Sequence, residues 1–189
     1  MRLAPRPRTG PEPGDDHDVL RPAAALLLLY PYRGAWHVPL TVRSTGLRSH
    51  TGQVSLPGGR VDVGESFEAA ALREAHEEIG VAPGDVEVLG DLTPVPIWVS
   101  RHLLHPVVGV TLTRPEFRLH AGEVERLIEL PVAELVAPQA VRWEQRTRTH
   151  PPLGLMDVPY FDLDGACCWG ATAMVLAEFA AVLGDAHPD

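Results

Sequence analysis

Cysteine is nearly absent from this chain of 189 residues, which contains only Cys167 and Cys168. Adjacent cysteines rarely form a disulfide with each other, and no partner stands at metal-ligand spacing from them. We therefore expect both side chains to be reduced thiols packed within the fold. Reduced thiols fit a cytoplasmic protein, and the cytoplasm is the expected location.

The sequence also lacks an excess of positive charge and a long apolar run. The formal net charge of −9 argues against a general affinity for nucleic acid or for an anionic membrane. The apolar run Ala23–Tyr30 is far too short to span a bilayer, and it follows an acidic segment, unlike the apolar part of a signal peptide. We expect this run to be a buried strand.

The composition divides the chain into a short tail and one domain. Residues 1–18 hold prolines and glycines among charged residues, and they bury too little apolar surface to offset the entropy of ordering them. We expect this segment to be a flexible tail. The remaining residues, 19–189, suit a single domain, because domains usually contain roughly 50–200 residues.

Hydrophobic patterning predicts more strands than helices. We expect strands at residues 23–30, 35–43, 53–56, 86–93, 103–112 and 126–130, and helices at residues 66–79, 132–136 and 172–183. Residues 138–152 are polar and bounded by prolines, and both a hairpin and a loop stay open for them. Because the helices are spread along the chain, a mixed α/β sheet covered on both faces is the expected architecture.

The stretch Gly59–Val81 is the most informative part of the sequence. In its predicted helix, Glu74, Glu77 and Glu78 stand at positions i, i+3 and i+4 and project from one arc. Like charges on one arc destabilise a helix by roughly 0.2–0.5 kcal/mol per pair. A solvated acidic face is one interpretation, whereas a bound divalent cation would offset the repulsion. Carboxylate ligands favour Mg²⁺ or Mn²⁺ over Zn²⁺.

The whole stretch resembles the signature of the Nudix hydrolases. That signature reads Gly-x5-Glu-x7-Arg-Glu-U-x-Glu-Glu-x-Gly-U, where U is bulky and aliphatic, and it begins here at Gly59. Ala75 at the first U position is the only departure. Ser66 suits the N-cap of the helix, and Gly80 suits its end. The resemblance implies the α/β/α sandwich of the Nudix fold and hydrolysis of a nucleoside diphosphate linked to another moiety.

The resemblance also implies roles for the acidic residues. Glu74 and Glu78 would be the primary metal ligands, and Glu77 would bind the metal directly or through water. The backbone carbonyl of Gly58 would be an additional ligand. Glu123 lies in a segment that supplies an extra ligand or the general base in many Nudix enzymes.

Arg73 is expected to orient a glutamate rather than to touch the substrate. Glu77, at position i+4 of the helix, is one candidate partner for its guanidinium group. Glu65, in the preceding loop, is the other, and both stay open.

A second motif lies directly upstream, in residues 40–59. It resembles the signature of the coenzyme A pyrophosphatase branch of the Nudix superfamily, Leu-Leu-Thr-x-Arg-(Ser/Ala)-x3-Arg-x3-Gly-x3-Phe-Pro-Gly-Gly. The residues in register with this signature are Thr41, Arg43, Ser44, Arg48, Gly52, Pro57, Gly58 and Gly59. Pro39 and Leu56 depart from it at apolar positions, which concern packing more than chemistry.

The second motif agrees with the chemistry of coenzyme A, which carries a 3′-phosphate besides its diphosphate. Arg43 and Arg48 can each donate a fork of hydrogen bonds to phosphate oxygens, although a surface ion pair is the alternative for either. Gly52, Gly58 and Gly59 would let the backbone approach the diphosphate closely.

The sequence therefore predicts a metal-dependent hydrolase that cleaves coenzyme A or a derivative to 4′-phosphopantetheine and adenosine 3′,5′-bisphosphate. One alternative keeps the chemistry and changes the substrate to ADP-ribose or another nucleoside diphosphate derivative. The other is a nucleotide-binding module without catalysis, although such modules usually lose the glutamates that are present here. The expected partner is a small nucleotide, and a homodimer stays open because the sequence is silent on the oligomeric state.

Overall fold

A computed structural model describes residues 20–44, 53–137, 139–147, 154–163 and 165–185. The predicted tail at residues 1–18 and two candidate substrate-binding residues, Arg48 and Gly52, lie outside these ranges. Within them, no helix is both long enough and apolar enough to cross a bilayer.

The described residues form eleven strands and three α-helices, with one 3₁₀ turn at Pro83–Asp85. The strands are β1 (Arg21–Tyr32), β2 (Ala35–Arg43), β3 (Val54–Ser55), β4 (Gly58–Arg60), β5 (Glu87–Asp91), β6 (Val95–Ile97), β7 (His102–Val110), β8 (Val124–Pro131), β9 (Val141–Thr147), β10 (Leu155–Leu163) and β11 (Ala166–Trp169). The helices are α1 (Phe67–Ile79), α2 (Val132–Val136) and α3 (Gly170–Asp185).

Strand β1 is the centre of the main sheet, whose path runs β3-β2-β1-β7-β5. It pairs in parallel with β7 along one side. On its other side, the N-terminal part of β1 pairs with β4 and the C-terminal part pairs with β2, both antiparallel. The sheet is therefore mixed, as predicted, and the two neighbours on this side diverge at the loop that leads into Gly58.

Alternate residues of β1 build the two halves of the core. Ala24, Leu26 and Leu28 pack with helix α1, whereas Ala25 and Leu27 pack on the opposite side with helix α3. All five are at most 3% exposed, so the strand is buried on both faces. This arrangement confirms the predicted α/β sandwich with a helix layer on each face.

A separate three-stranded antiparallel sheet follows, in the order β11-β10-β9. Residues 141–147, for which a hairpin and a loop were both open, form β9 and pair with β10 over seven residues. Strands β4, β6, β10 and β11 are not predicted from the sequence. Proline and glycine interrupt β4, β6 and β10, and β9 shows no regular apolar alternation, so periodicity carries little information there.

Removal of a core side chain from β1 tests this architecture. Leu26→Ala should lower the free energy of unfolding by about 2–5 kcal/mol, because Leu26 is fully buried and the neighbouring layers cannot collapse into the space. Leu112→Ala is the control, since Leu112 is 85% exposed and should change stability by less than about 0.5 kcal/mol. Urea denaturation of both variants measures the difference, and equal effects would contradict the two-layer core.

Candidate active site

Helix α1 has the ends that the sequence predicts. The hydroxyl of Ser66 accepts a hydrogen bond from the backbone N–H of Ala69 at 3.1 Å, which caps the N-terminus. Gly80 ends the helix in the left-handed conformation with φ of 76°, and its N–H donates to the carbonyl of His76. These ends fix the register of the acidic residues along the helix.

Arg73 holds three carboxylates around one guanidinium group. Its Nε donates to Glu65 Oε1 at 2.9 Å, and its Nη1 donates to Glu74 Oε1 at 2.9 Å and to Glu77 Oε2 at 3.3 Å. Nη2 reaches Glu65 Oε2 at 3.1 Å and the backbone carbonyl of Arg60 at 2.9 Å. Both predicted partners are therefore present, together with a third, Glu74. Part of the repulsion along the helix is offset by this arginine.

The three helix glutamates differ in their surroundings. Glu77 is 56% exposed, whereas the Glu74 side chain is 16% exposed. Glu78 is 6% exposed, and its Oε2 atom has no hydrogen-bond partner among the described residues. The N–H of Gly58 donates to the Glu78 carboxylate. A buried carboxylate oxygen without a partner is costly in the absence of a cation.

The pKa values of Glu74 and Glu78 follow from this environment. Burial raises the pKa of Glu78 to about 7, and the nearby charges of Glu74 and Glu123 add to the rise. The Gly58 N–H and the Arg43 charge oppose it. Burial also raises the pKa of Glu74, against the effect of its bond to Arg73. Both carboxylates would be stabilised in the charged form by an additional positive charge.

Arg43 and Glu123 lie in the same neighbourhood. The charge of Arg43, at the end of β2, acts on Glu78, and its Nε is buried with no hydrogen-bond partner in the described part of the chain. The carbonyl of Glu123 accepts the N–H of Ser44 at 2.9 Å, which ties the segment before β8 to the end of β2. The structure thus brings Arg43 and Glu123 together with Glu74 and Glu78.

Close packing requires glycine at positions 58 and 59, and the sequence motif alone does not reveal this requirement. A Cβ atom on Gly58 would come within 2.6 Å of Ala25 Cα on β1. A Cβ atom on Gly59 would come within 2.6 Å of Glu74 Oε2. Position 58 therefore needs glycine because of β1, and position 59 needs it because of the Glu74 carboxylate. Both needs are independent of any bound diphosphate. The role of Gly59 in binding substrate stays a prediction.

These residues fit a divalent cation by their chemistry. Glu78 has a buried oxygen without a partner in the described part of the chain, and the surrounding ligand atoms are carboxylate oxygens, which Mg²⁺ and Mn²⁺ prefer. As the side chains of the described residues stand, no three His, Cys, Asp or Glu residues close around a single point. Arg73 holds Glu74 through Oε1 and Glu77 through Oε2.

Comparison with known proteins decides the family. The model of the NUDIX domain matches residues 19–150. This chain is a Nudix hydrolase. The prediction of the family is confirmed, and the Nudix family acts on pyrophosphate bonds and generally uses divalent metal ions.

Relatives and solved structures agree with this assignment. A Nudix hydrolase called NudL from Enterobacter sp. (strain 638) is 36% identical over 179 residues, which cover 91% of this chain and 88% of that protein. NudL from Escherichia coli (strain SMS-3-5 / SECEC) is 38% identical over 149 residues, covering 77% of this chain and 74% of that protein. The crystal structure of RenU, a Nudix hydrolase from M. smegmatis, matches 61% of this chain and 73% of its own, with a TM-score of 0.53 and 26% identity.

A substitution in the glycine loop tests the geometry of this Nudix site. Gly59→Ala should displace the Glu74 carboxylate, because the added methyl group occupies its place. We expect kcat to fall by about tenfold to a hundredfold while the fold is kept, as misplacement of a catalytic group by about 1 Å can cost that much. The measurement is metal-dependent hydrolysis of a diphosphate substrate, with circular dichroism to verify folding.

Gly84→Ala is the matched control, because a Cβ atom there meets nothing within 4 Å. Normal turnover of folded Gly59→Ala would show that the position of Glu74 does not matter for the reaction.

Proposed function

We propose that this Nudix hydrolase cleaves the diphosphate of coenzyme A or of a derivative, with Mg²⁺ or Mn²⁺. The products are 4′-phosphopantetheine and adenosine 3′,5′-bisphosphate. Water adds its oxygen to one phosphorus, the bond from that phosphorus to the bridging oxygen breaks, and the bridging oxygen leaves with the other phosphate.

The position of Arg43 is the observation that most strongly supports a phosphate-containing substrate. Its guanidinium group lies close enough to act on the Glu78 carboxylate, and its buried Nε has no hydrogen-bond partner among the described residues. An arginine that is partly desolvated next to carboxylates suits an anionic ligand, because a phosphate oxygen can accept its forked donors. The upstream motif in residues 40–59 supplies the reason to choose coenzyme A within this class. Arg48 and Gly52 belong to the proposal on the motif alone.

Glu74 and Glu78 would hold the cation, with Glu77 and the Gly58 carbonyl as additional ligands. When bound, a divalent cation lowers the pKa of water and neutralises the charge that develops on phosphate oxygens. Arg73 orients Glu74 and Glu77 from the side of the loop.

Glu123 serves either as a further ligand or as the base that removes a proton from the attacking water. It is exposed, and its charge acts on both Glu74 and Glu78. An exposed carboxylate next to buried ones can exchange the proton with solvent after each turnover.

Two accompanying features also belong to the proposal. The structure leaves Cys167 and Cys168 as free thiols, which suits the reducing cytoplasm. A homodimer stays a prediction, and light scattering on the purified protein measures it.

Neutralising the buried glutamate tests the metal site. Glu78→Gln keeps the size of the side chain and removes its charge, so kcat should fall by about a hundredfold or more. At pH 8 in a chelator, the same variant should gain about 1 kcal/mol in the free energy of unfolding, because the buried negative charge, one oxygen of which has no partner among the described residues, is removed.

Glu77→Gln is the control for stability. Glu77 is exposed and paired with Arg73, so its neutralisation should lower the free energy of unfolding by a few tenths of a kcal/mol, roughly the strength of a surface ion pair. Near-normal turnover of folded Glu78→Gln would refute the assignment of this glutamate.

Substitution of Arg43 tests the substrate. If Arg43 binds a phosphate that only coenzyme A carries, Arg43→Ala should lower kcat/KM for coenzyme A about ten- to hundredfold more than kcat/KM for ADP-ribose. Arg142→Ala is the control, since Arg142 pairs with Asp162 in the second sheet.

Equal losses on both substrates would mean that Arg43 serves the shared diphosphate. Mass spectrometry identifies the products. Release of inorganic phosphate, or of intact coenzyme A from an acyl derivative, instead of the two expected products would reject the proposed reaction.

A further inference from the structure

The segment Thr111–Glu123 connects β7 to β8 without forming a helix or a strand. It ends at Glu123, next to the carboxylates of the active site. At its start, the N–H of Thr111 donates to the carbonyl of Leu29 at 2.9 Å, and the buried Thr111 hydroxyl donates to the carbonyl of Thr113 at 2.8 Å. A long irregular segment of this kind needs specific contacts to keep one conformation.

Arg114 attaches the N-terminal part of this segment to β8. Its Nε donates to Glu129 Oε2 at 2.7 Å, and its Nη2 donates to Glu129 Oε1 at 2.8 Å, so the two groups form a fork. The hydroxyl of the buried Tyr30, on β1, donates to the same Glu129 Oε2 at 2.8 Å. The guanidinium group of Arg114 thus links the segment to two strands of the main sheet.

Aromatic rings enclose the same arginine. The guanidinium carbon of Arg114 lies 4.8 Å from the ring centre of Tyr32 and 5.2 Å from that of Phe117. The Phe117 ring packs edge-on against Tyr30 with centres 5.3 Å apart. The Arg114 side chain is 38% exposed, and most ion pairs at such exposure add little to stability. A forked pair with additional ring contacts is the kind that contributes measurably to stability.

Beyond this anchor, the segment follows the last turn of α1. The N–H of Arg118 donates to the carbonyl of Ile79 at 2.9 Å, and the N–H of His120 donates to the carbonyl of Glu78 at 2.9 Å. The N–H of Glu123 then donates to the carbonyl of His120 at 2.9 Å. These bonds satisfy carbonyls that the end of a helix otherwise leaves without partners. The backbone of Glu78 and the backbone of Glu123 are therefore connected through His120.

We propose that Arg114 is a positioning residue of the active site, which holds the 111–123 segment so that Glu78 and Glu123 keep their relative places. The Arg114–Glu129–Tyr30 contacts fix the N-terminal part of the segment. The backbone hydrogen bonds of Arg118 and His120 then connect the fixed segment to the C-terminal end of α1. The catalytic consequence rests on the proposed function, whereas the ordering of the segment does not.

Hydrogen exchange in the metal-free protein tests the ordering directly. In Arg114→Ala, the amides of Arg118, His120 and Glu123 should exchange roughly tenfold faster than in the wild type, because the ion pair with Glu129 is lost. Arg114→Lys keeps the charge without the forked geometry, so its amide exchange rates should lie between those of the wild type and those of Arg114→Ala. Arg142→Ala is the matched control, since it removes another arginine–carboxylate pair at 2.7 Å in the second sheet, and it should leave these amides unchanged.

Mn²⁺ binding and kinetics test the link to the site. Arg114→Ala should weaken Mn²⁺ binding, measured by electron paramagnetic resonance of the free ion, by about tenfold, as loss of residues that orient ligands usually does. The value of kcat should fall by a similar factor with little change in KM, because Arg114 does not lie among the proposed substrate contacts.

Three results would overturn the inference. Wild-type exchange at Arg118, His120 and Glu123 in folded Arg114→Ala would show that Arg114 does not order the segment. Faster exchange spread equally over β1 and α3 would make Arg114 a residue of general stability. Local loosening with unchanged Mn²⁺ binding and kcat would separate the segment from the site. If coenzyme A is not a substrate, the expected results for hydrogen exchange and Mn²⁺ binding are unchanged.

Discussion

The burial of Glu78 is the constraint on which the rest of the site depends. Its carboxylate lies beside the loop that leads into β4, with one oxygen bound by the N–H of Gly58 and the other without a partner among the described residues. A charge in such a place is stable only if positive charge is close. Arg43 supplies part of this positive charge, and a divalent cation would supply the rest. The fold thus keeps an acidic residue in the core, and we propose that a bound cation compensates its charge.

Arginine supplies the positive charge around this carboxylate. All 16 of the Lys and Arg residues in the chain are arginines. Arg73 shows what this choice permits, since one planar group contacts Glu65, Glu74 and Glu77 and also a backbone carbonyl. The ammonium group of a lysine has three donors from one point and could not span these acceptors. The Arg114–Glu129 fork uses the same geometry at the other end of α1.

The sequence predicts local features well because they depend on neighbouring residues. The strand at residues 23–30, the cap at Ser66 and the end of α1 at Gly80 all follow from patterns within a few positions. The contacts that specify the site are of long range, and a pattern does not contain them. Tyr30 and Glu129 are 99 residues apart, and the need for glycine at position 59 arises from Glu74 in the next element. Strands β10 and β11 were missed because their burial depends on helix α3 rather than on a simple alternation.

A crystal of the protein grown with Mn²⁺ tests the central claim, that a divalent cation completes the buried carboxylate. Anomalous scattering should show one peak within about 2.2 Å of oxygens of both Glu74 and Glu78, a distance usual for ions of this size. A peak bound only by exposed carboxylates, or Arg43 paired with Glu78 in place of the ion at saturating Mn²⁺, would contradict the account.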